Sequence, residues 1–185
     1  MAPFPAKSIL ITGGCGFIGT NLVRRLAQSG ARIRVLDNLS AGNPADIWPY
    51  GPELRVGDVR DGSLVRRALE GVEAVIHLAA QTGVIPSQQD PGGDFDVNAH
   101  ATFELLAASR DAGIRKFVFA STGGAILGEK RPPIHEEMPA RPLSPYGASK
   151  LAGEGYCSAF FGSFGLPTVS LRFSNVYGPY SYHKG

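Results

Sequence analysis

The sequence predicts an α/β protein, a doubly wound parallel sheet with helices on both faces. Two observations predict it. Short apolar runs alternate with amphipathic stretches from Ser8 to Leu171, and strands alternating with helices imply a parallel sheet covered on both sides. The first apolar run also leads straight into Gly13-x-x-Gly16-x-x-Gly19, which opens a stretch of helical spacing. A strand, a glycine turn and a helix in that order are the context a dinucleotide fingerprint requires. Right-handed crossovers then give a Rossmann fold.

The elements follow in order. Ser8–Thr12 is a continuous apolar strand. Gly16 to Ser29 is a helix, with Ile18, Leu22, Val23 and Leu26 on one face and Gly30 as its stop. Arg32–Asp37 is the second strand. Leu54–Val56 is the third, ending near Gly57 and Asp58. Asp61 caps a helix that runs to about Leu69. Ala74–Ala79 is the fourth strand. Asp94 to about Asp111 is a helix, and Lys116–Ser121 the fifth strand. The segment Gly128 to Pro142 is rich in proline and charge and is read as a loop near the site. Tyr146 to about Phe161 is a helix, and Pro167–Leu171 the sixth strand.

Composition excludes several function classes. The chain has 185 residues and is 43% hydrophobic, enough for one domain with a substantial core. The net charge is +2 and the basic residues are scattered, so neither nucleic acid nor a membrane surface is the expected partner. No apolar stretch approaches the ~20 residues of a membrane span. The start, Met1 to Lys7, lacks the apolar stretch of a signal peptide. Cys15 and Cys157 make neither a disulfide framework nor a metal site. They are expected to be inert thiols. The expectation is a soluble, cytoplasmic protein without a metal.

The glycine turn specifies a ligand. Gly13 permits the tight turn, Gly16 lets the backbone approach a pyrophosphate, and Gly19 lets the helix pack closely. The helix N-terminus offers unpaired N–H groups and a positive dipole end to phosphates. Asp37 ends the next strand, where a carboxylate can accept from both ribose hydroxyls and repel a 2′-phosphate. The cofactor expected is NAD rather than NADP, with nearby Arg34 the one feature that points the other way. A catalytic pair lies further on. Tyr146 and Lys150 are four residues apart, hence on one face of a helix. A nearby ammonium lowers a phenol's pKa, and such a phenol can exchange a proton with an alcohol while a nicotinamide exchanges the hydride. Thr122 lies just past the fifth strand, where parallel sheets place ligands. Its hydroxyl can bond a reacting oxygen. His77 reads as a strand histidine rather than a catalyst.

The motifs together resemble the extended short-chain dehydrogenase/reductases, and among them the NAD-dependent nucleotide-sugar epimerase/dehydratase family. The resemblance rests on Thr12 to Gly19 (including Phe17 and Ile18), Asp37-Asn38-Leu39-Ser40, Gly57-Asp58-Val59, His77-Leu78-Ala79-Ala80, Ser121-Thr122, Tyr146-x-x-x-Lys150, and Leu171 to Pro179. It implies that Asp58 and Val59 meet the adenine. It implies that Leu78, Ala79 and Ala80 line the pyrophosphate and ribose, that Asn98 supports the core near the site, and that Phe173 lies by the nicotinamide. Asn175 would be a first contact to the sugar nucleotide. A homodimer through the helices Asp94–Asp111 and Tyr146–Phe161 is implied as well.

The chain departs from that family's pattern in places. Many members read Ser-Ser-x-x-x-Tyr-Gly where this chain reads Ser121-Thr122-Gly123-Gly124-Ala125-Ile126-Leu127-Gly128, so the alignment leaves the catalytic hydroxyl open between Ser121 and Thr122. Sugar dehydratases carry Asp-Glu after the threonine, and here Gly123-Gly124 stand there. Elimination would lack its general acid and base. Members usually continue into a small substrate domain, so residues 1–185 are read as the NAD-binding domain with the substrate domain absent. The expected activity is a 4-epimerase of the UDP-glucose type. A sugar-nucleotide reductase or dehydrogenase, and an NAD-binding module without turnover, are the alternatives.

Overall fold

A computed structural model describes residues 6–181. The opening residues, where no leader was expected, and the end at Gly185 lie outside the described residues. Six strands form one sheet: β1 (Ser8–Thr12), β2 (Arg32–Asp37), β3 (Glu53–Val56), β4 (Ala74–His77), β5 (Lys116–Thr122) and β6 (Thr168–Phe173). Their order is β3-β2-β1-β4-β5-β6, and every pairing is parallel. The direction of winding reverses between β1 and β4, the crevice in which such sheets bind ligands. β1 and β4 are buried along their whole length, which is why they read as unbroken apolar runs rather than alternating ones.

Strand alternation sorts the side chains into two cores. Ile9, Ile11, Ile33, Val35 and Ile76 pack with Val23 and Leu26 of α1 (Phe17–Ala27). Leu10, Leu36, Val75, Phe117 and Phe119 pack on the other face, against α2 (Gly62–Leu69) and the later helices. Full burial of each such side chain contributes roughly 1.5–3 kcal/mol. Asp61 caps α2 as expected, accepting from the Ser63 and Leu64 N–H groups.

Four elements too short for a periodic signal escaped the sequence reading. They are α3 (Val84–Gln89), α6 (Gly123–Leu127) and a pair of 3₁₀ turns at Pro44–Asp46 and Trp48–Tyr50. The helix expected over Asp94–Asp111 starts earlier and is interrupted. It runs as α4 (Pro91–Phe95), a π turn (Asp96–His100) and α5 (Ala101–Asp111). β4 ends at His77 rather than Ala79, because the chain leaves the ladder to pass under the glycine turn. The last long helix, α7 (Pro145–Phe164), is capped by Ser144 and stopped by Gly165 at φ 69°.

One buried polar chain ties these layers together. Thr12 and His77 face each other in the β1–β4 register, with Thr12 Oγ1 2.7 Å from His77 Nδ1. His77 Nε2 lies 2.9 Å from Thr102 Oγ1. Thr102 donates to the Asn98 carbonyl at 2.8 Å, so it must accept from His77 Nε2–H. Thr12 then donates to Nδ1 while accepting from the Ala79 N–H. The directions leave a single tautomer, with the proton on Nε2. Burial, and secondarily the Lys150 charge, lower the His77 pKa to about 3.

That depressed value fixes a pH dependence. The unfolded chain takes up a proton on His77 as pH falls through 6.5 and the folded chain does not, so stability is complete above 6.5 and declines toward 3. Urea unfolding at pH 7 and pH 5 should show a loss of about 2 kcal/mol, and His77→Gln should abolish most of that difference.

Candidate active site

Every strand delivers its site residues at its C-terminal end. Gly13 follows β1 at φ 70°, a left-handed conformation that glycine adopts without strain. Its N–H donates to the Leu36 carbonyl. The turn is too tight for side chains. A methyl at Gly14 would stand 2.6 Å from a Val35 methyl, one at Gly13 2.7 Å from the Ala79 nitrogen, and one at Gly19 2.6 Å from the Gly14 Cα. Gly19 therefore closes the turn on itself, and Gly14, which the fingerprint spacing omits, closes it against β2. At Gly16, the helix N-cap, an added methyl would meet only the Gly13 carbonyl oxygen, at 3.4 Å. Phe17 and Ile18 begin α1, whose first N–H groups lack a side-chain cap.

Asp37 is buried at the end of β2. Its Oδ2 accepts from the Cys15 N–H at 2.9 Å and its Oδ1 from the Leu39 N–H at 2.8 Å. A carboxylate has about four acceptor sites, so two backbone bonds leave capacity for two hydroxyls. The same grip holds Leu39 at φ 60°, a conformation that residues with a side chain seldom adopt. Asn38 donates to Asp58, and its carbonyl oxygen accepts from the Ser40 N–H. Arg34 donates to Glu53 and to the Ala68 and Glu70 carbonyls. It is committed to β3 and the end of α2, so it does not oppose the NAD reading. Cys15, inside the turn, has its thiol pushed up to about 12 by burial and by the charges of Asp37 and Asp46. Burial does the same to Cys157, to about 11. Both are protonated thiols, as expected.

Asp58 is held by Arg60 and Asn38, with Arg60 Nε–Oδ1 at 2.8 Å. The Arg60 hydrogen bond is the main reason its carboxyl lies well below the usual carboxylate range. Val59, its neighbour, points into the core, which leaves Asp58 as the half-exposed member of that pair. Leu78, Ala79 and Ala80 follow β4 and are half-buried beside the glycine turn. Asn98 sits in the π turn. Its Nδ2 donates to the Gln81 carbonyl and to Asp94 Oδ1, both at 2.8 Å, and its Oδ1 accepts from the Gln81 N–H at 3.0 Å. Asn98 thereby clamps the loop after β4. Asp94 and Gln81 are members of this set that sequence reasoning missed; the four-residue spacing of Asp94 and Asn98 was the available signal.

Tyr146 and Lys150 lie one turn apart on α7. Tyr146 is half-buried and Lys150 is 3% exposed. Lys150 Nζ donates to the Ala120 carbonyl at 3.1 Å and stands 4.9 Å from the Phe119 ring centroid, a cation–π contact. Burial lowers its pKa to about 8, against the pull of Asp94. Here the structure reverses an expectation. The Tyr146 phenol lies above its ordinary value, raised by burial first and by the Asp94 charge second. The Lys150 ammonium is directed at the Ala120 carbonyl instead. Ser121 and Thr122 now separate. The Ser121 hydroxyl is buried against the Glu154 carboxylate without a hydrogen bond of good geometry, and Arg172 holds that carboxylate at 2.7 Å. Thr122 caps α6 by accepting from the Ala125 N–H at 3.4 Å, which leaves its O–H as a donor. Phe173 ends β6 beside Thr122 in the ladder, and Asn175 is exposed beyond it.

Comparison with known proteins gives the chain its family. The model of the NAD dependent epimerase/dehydratase family matches residues 9–185. The chain belongs to that family. It is 42% identical over 179 residues to a putative UDP-glucose 4-epimerase of Methanocaldococcus jannaschii, a match that covers 96% of this chain and 58% of the relative. A crystal structure of the Thermus thermophilus UDP-glucose 4-epimerase in complex with NAD superposes with a TM-score of 0.89 at 46% identity, covering 93% of this chain and 56% of that one. The UDP-glucose 4-epimerase of Thermotoga maritima with UDP-glucose gives 0.89 at 38% identity, with 93% and 57% covered. The chain thus spans little more than half the length of these relatives. Among the described residues no helix is long and apolar enough to cross a membrane, and no acidic or thiol cluster could hold a metal.

The family's cofactor is NAD, and the cradle fits it: a side-chain-free turn, an uncapped helix start and a buried carboxylate with spare acceptor sites. Asp37→Ala should narrow the preference for NAD over NADP. It should also lower stability by about 1–3 kcal/mol, because two buried N–H groups lose their acceptor. Calorimetric titration with both cofactors and a thermal melt check this. Equal or tighter NADP binding by the unmodified chain would overturn the assignment.

Proposed function

We propose that this chain is the cofactor-binding and proton-transferring part of a nucleotide-sugar 4-epimerase of the UDP-glucose type. The observation that supports it best is that Lys150, one turn from Tyr146 on α7, bonds the Ala120 carbonyl near the end of β5, the strand that carries Thr122, in the sheet whose other strands end in the glycine turn and Asp37. The turn from Gly13 to Gly19 would hold the pyrophosphate, Asp37 the adenosine ribose and Lys150 the nicotinamide ribose. Asp58 would flank the adenine, and Phe173 the nicotinamide. When bound, NAD supplies the acceptor and then the donor of a hydride. Tyr146 takes the proton from the sugar O4 hydroxyl as C4 is oxidised. It returns that proton when C4 is reduced from the opposite face, so the sugar leaves inverted and nothing is consumed. A phenol raised by burial is well set for the returning step. For the first step the Lys150 charge must offset that burial. Thr122 donates to O4, and Asn175 is the first contact on the sugar-nucleotide side.

The glycines at positions 123 and 124 open α6 without a carboxylate, which weighs against elimination chemistry. Two buried free thiols suit a reducing, cytoplasmic setting. A reductase would differ in one respect, since it would leave net oxidised or reduced free cofactor.

Tyr146→Phe should lower epimerisation of UDP-glucose and UDP-galactose at least ~10²-fold, the usual scale of a lost acid/base group, while NAD affinity stays nearly unchanged. Positioning of the sugar contributes ~7–11 kcal/mol in such reactions, and the 185 residues span little more than half of the epimerases they match. This chain alone should therefore bind NAD and turn over little sugar. Full activity of Tyr146→Phe in the complete protein would sink the mechanism.

We also propose a homodimer through the helices spanning Asp94–Asp111 and Tyr146–Phe161. Phe160 is buried against Phe103 and belongs to the core. Tyr156, Phe161 and Phe164 are 42%, 59% and 54% exposed on the same helix, an apolar surface that a partner would cover. A sedimentation mass of twice the chain at micromolar concentration is the expected result.

A further inference from the structure

Asp94 is a buried acid without an assigned role. It is 1% exposed, in α4. Asn98 fixes its orientation through Oδ1 at 2.8 Å, and Oδ2 has no hydrogen-bond partner among the described residues. A carboxylate buried in this way is destabilising unless an opposite charge answers it. α4 and the π turn both pack against α7, which carries the buried Lys150 ammonium. We propose that Asp94 is a positioning residue of this site, the fixed counter-charge to the buried Lys150 ammonium.

The electrostatics run the same way. The Asp94 charge opposes the burial-driven fall of the Lys150 pKa and adds to the rise at Tyr146. Asp96 and His100, the other ionisable groups of the π turn, are exposed. His77, from β4, is neutral and locked in one tautomer. Glu154, one turn further along α7, is paired with Arg172. The π turn supplies the geometry. It lets Asn98 clamp Gln81 while still reaching back to Asp94, so the loop beside the glycine turn and the buried acid share one amide. The proposal rests on the reading of Tyr146 and Lys150 as the proton-transferring pair.

Carbon-13 NMR of lysine Cε in the labelled chain reads the Lys150 charge directly, with the resonance assigned by Lys150→Arg. The unmodified chain should titrate near pH 8. Asp94→Asn, which can keep the bond from Asn98, should move the midpoint down by roughly one unit. An unmoved midpoint would overturn the proposal. If Asp94→Asn folds poorly, a stability cycle with Lys150→Met decides. Removing both charges should destabilise less than the sum of the single changes, whereas additive losses, or a double variant as unfolded as Asp94→Asn, would also overturn it. Neither readout needs NAD or sugar, so failure here leaves the catalytic role of Tyr146 to its own test.

Discussion

The hydrogen-bonded chain from Ala79 through Thr12, His77 and Thr102 to Asn98 is the constraint on which the site depends. It crosses the β1–β4 junction, where the sheet changes its direction of winding. At that junction the glycine turn and the loop after β4 must lie in contact, and the Ala79 nitrogen already stands where a Gly13 side chain would be. A sheet held by its ladder alone would allow the two loops to separate, because ladder bonds end at Thr12 and His77. The buried side-chain network carries the register past the last rung. It does so with every donor and acceptor paired, the condition under which a buried polar network stabilises rather than weakens a core.

Asp37 applies the same economy on the other side of β1. One carboxylate closes the glycine turn through Cys15 and bends the chain after β2 through Leu39. The residue that would read the ribose is therefore the residue that shapes the surface around it. Preorganisation of this kind removes ordering costs from the binding step. Arg34, the one cation nearby in sequence, is drawn off by Glu53 and two carbonyls.

Most of the fold and the placement of the cofactor site were legible in the sequence. β1 and β4 are unbroken apolar runs, Asp61 and Gly30 punctuate helices, and the glycine spacing has a physical meaning that does not depend on tertiary context. What was illegible has a common cause. A π turn differs from α-helix by one residue in its hydrogen-bond register, and that leaves no trace in an apolar pattern. Elements of five or six residues such as α3 and α6 offer less than two turns of periodicity. The Tyr146–Lys150 spacing located the pair, but spacing does not report where an ammonium points. The Ala120 carbonyl and the Phe119 ring claim Lys150, and burial then decides the direction in which the phenol shifts. Ser121 and Thr122 are told apart only in three dimensions. Alternation along β5 turns Ser121 under α7 against Glu154, and Thr122 becomes the cap of a helix too short to foresee.

The site's charge balance follows from these details. Three ionisable side chains, His77, Asp94 and Lys150, are buried within one region, and each ion would be costly in isolation. The tautomer lock removes the first from the balance, because a His77 bonded at both nitrogens has no route to a second proton without breaking its bond to Thr12. A charged His77 would also repel Lys150, and that repulsion is one of the two causes that hold its pKa low. The cation therefore resides on Lys150, one helical turn from Tyr146. Asp94, held by Asn98, is the buried carboxylate of α4, which packs against the same helix. Thr12 and Asn98 fix the orientation of His77 and Asp94, which leaves Lys150 as the buried cation.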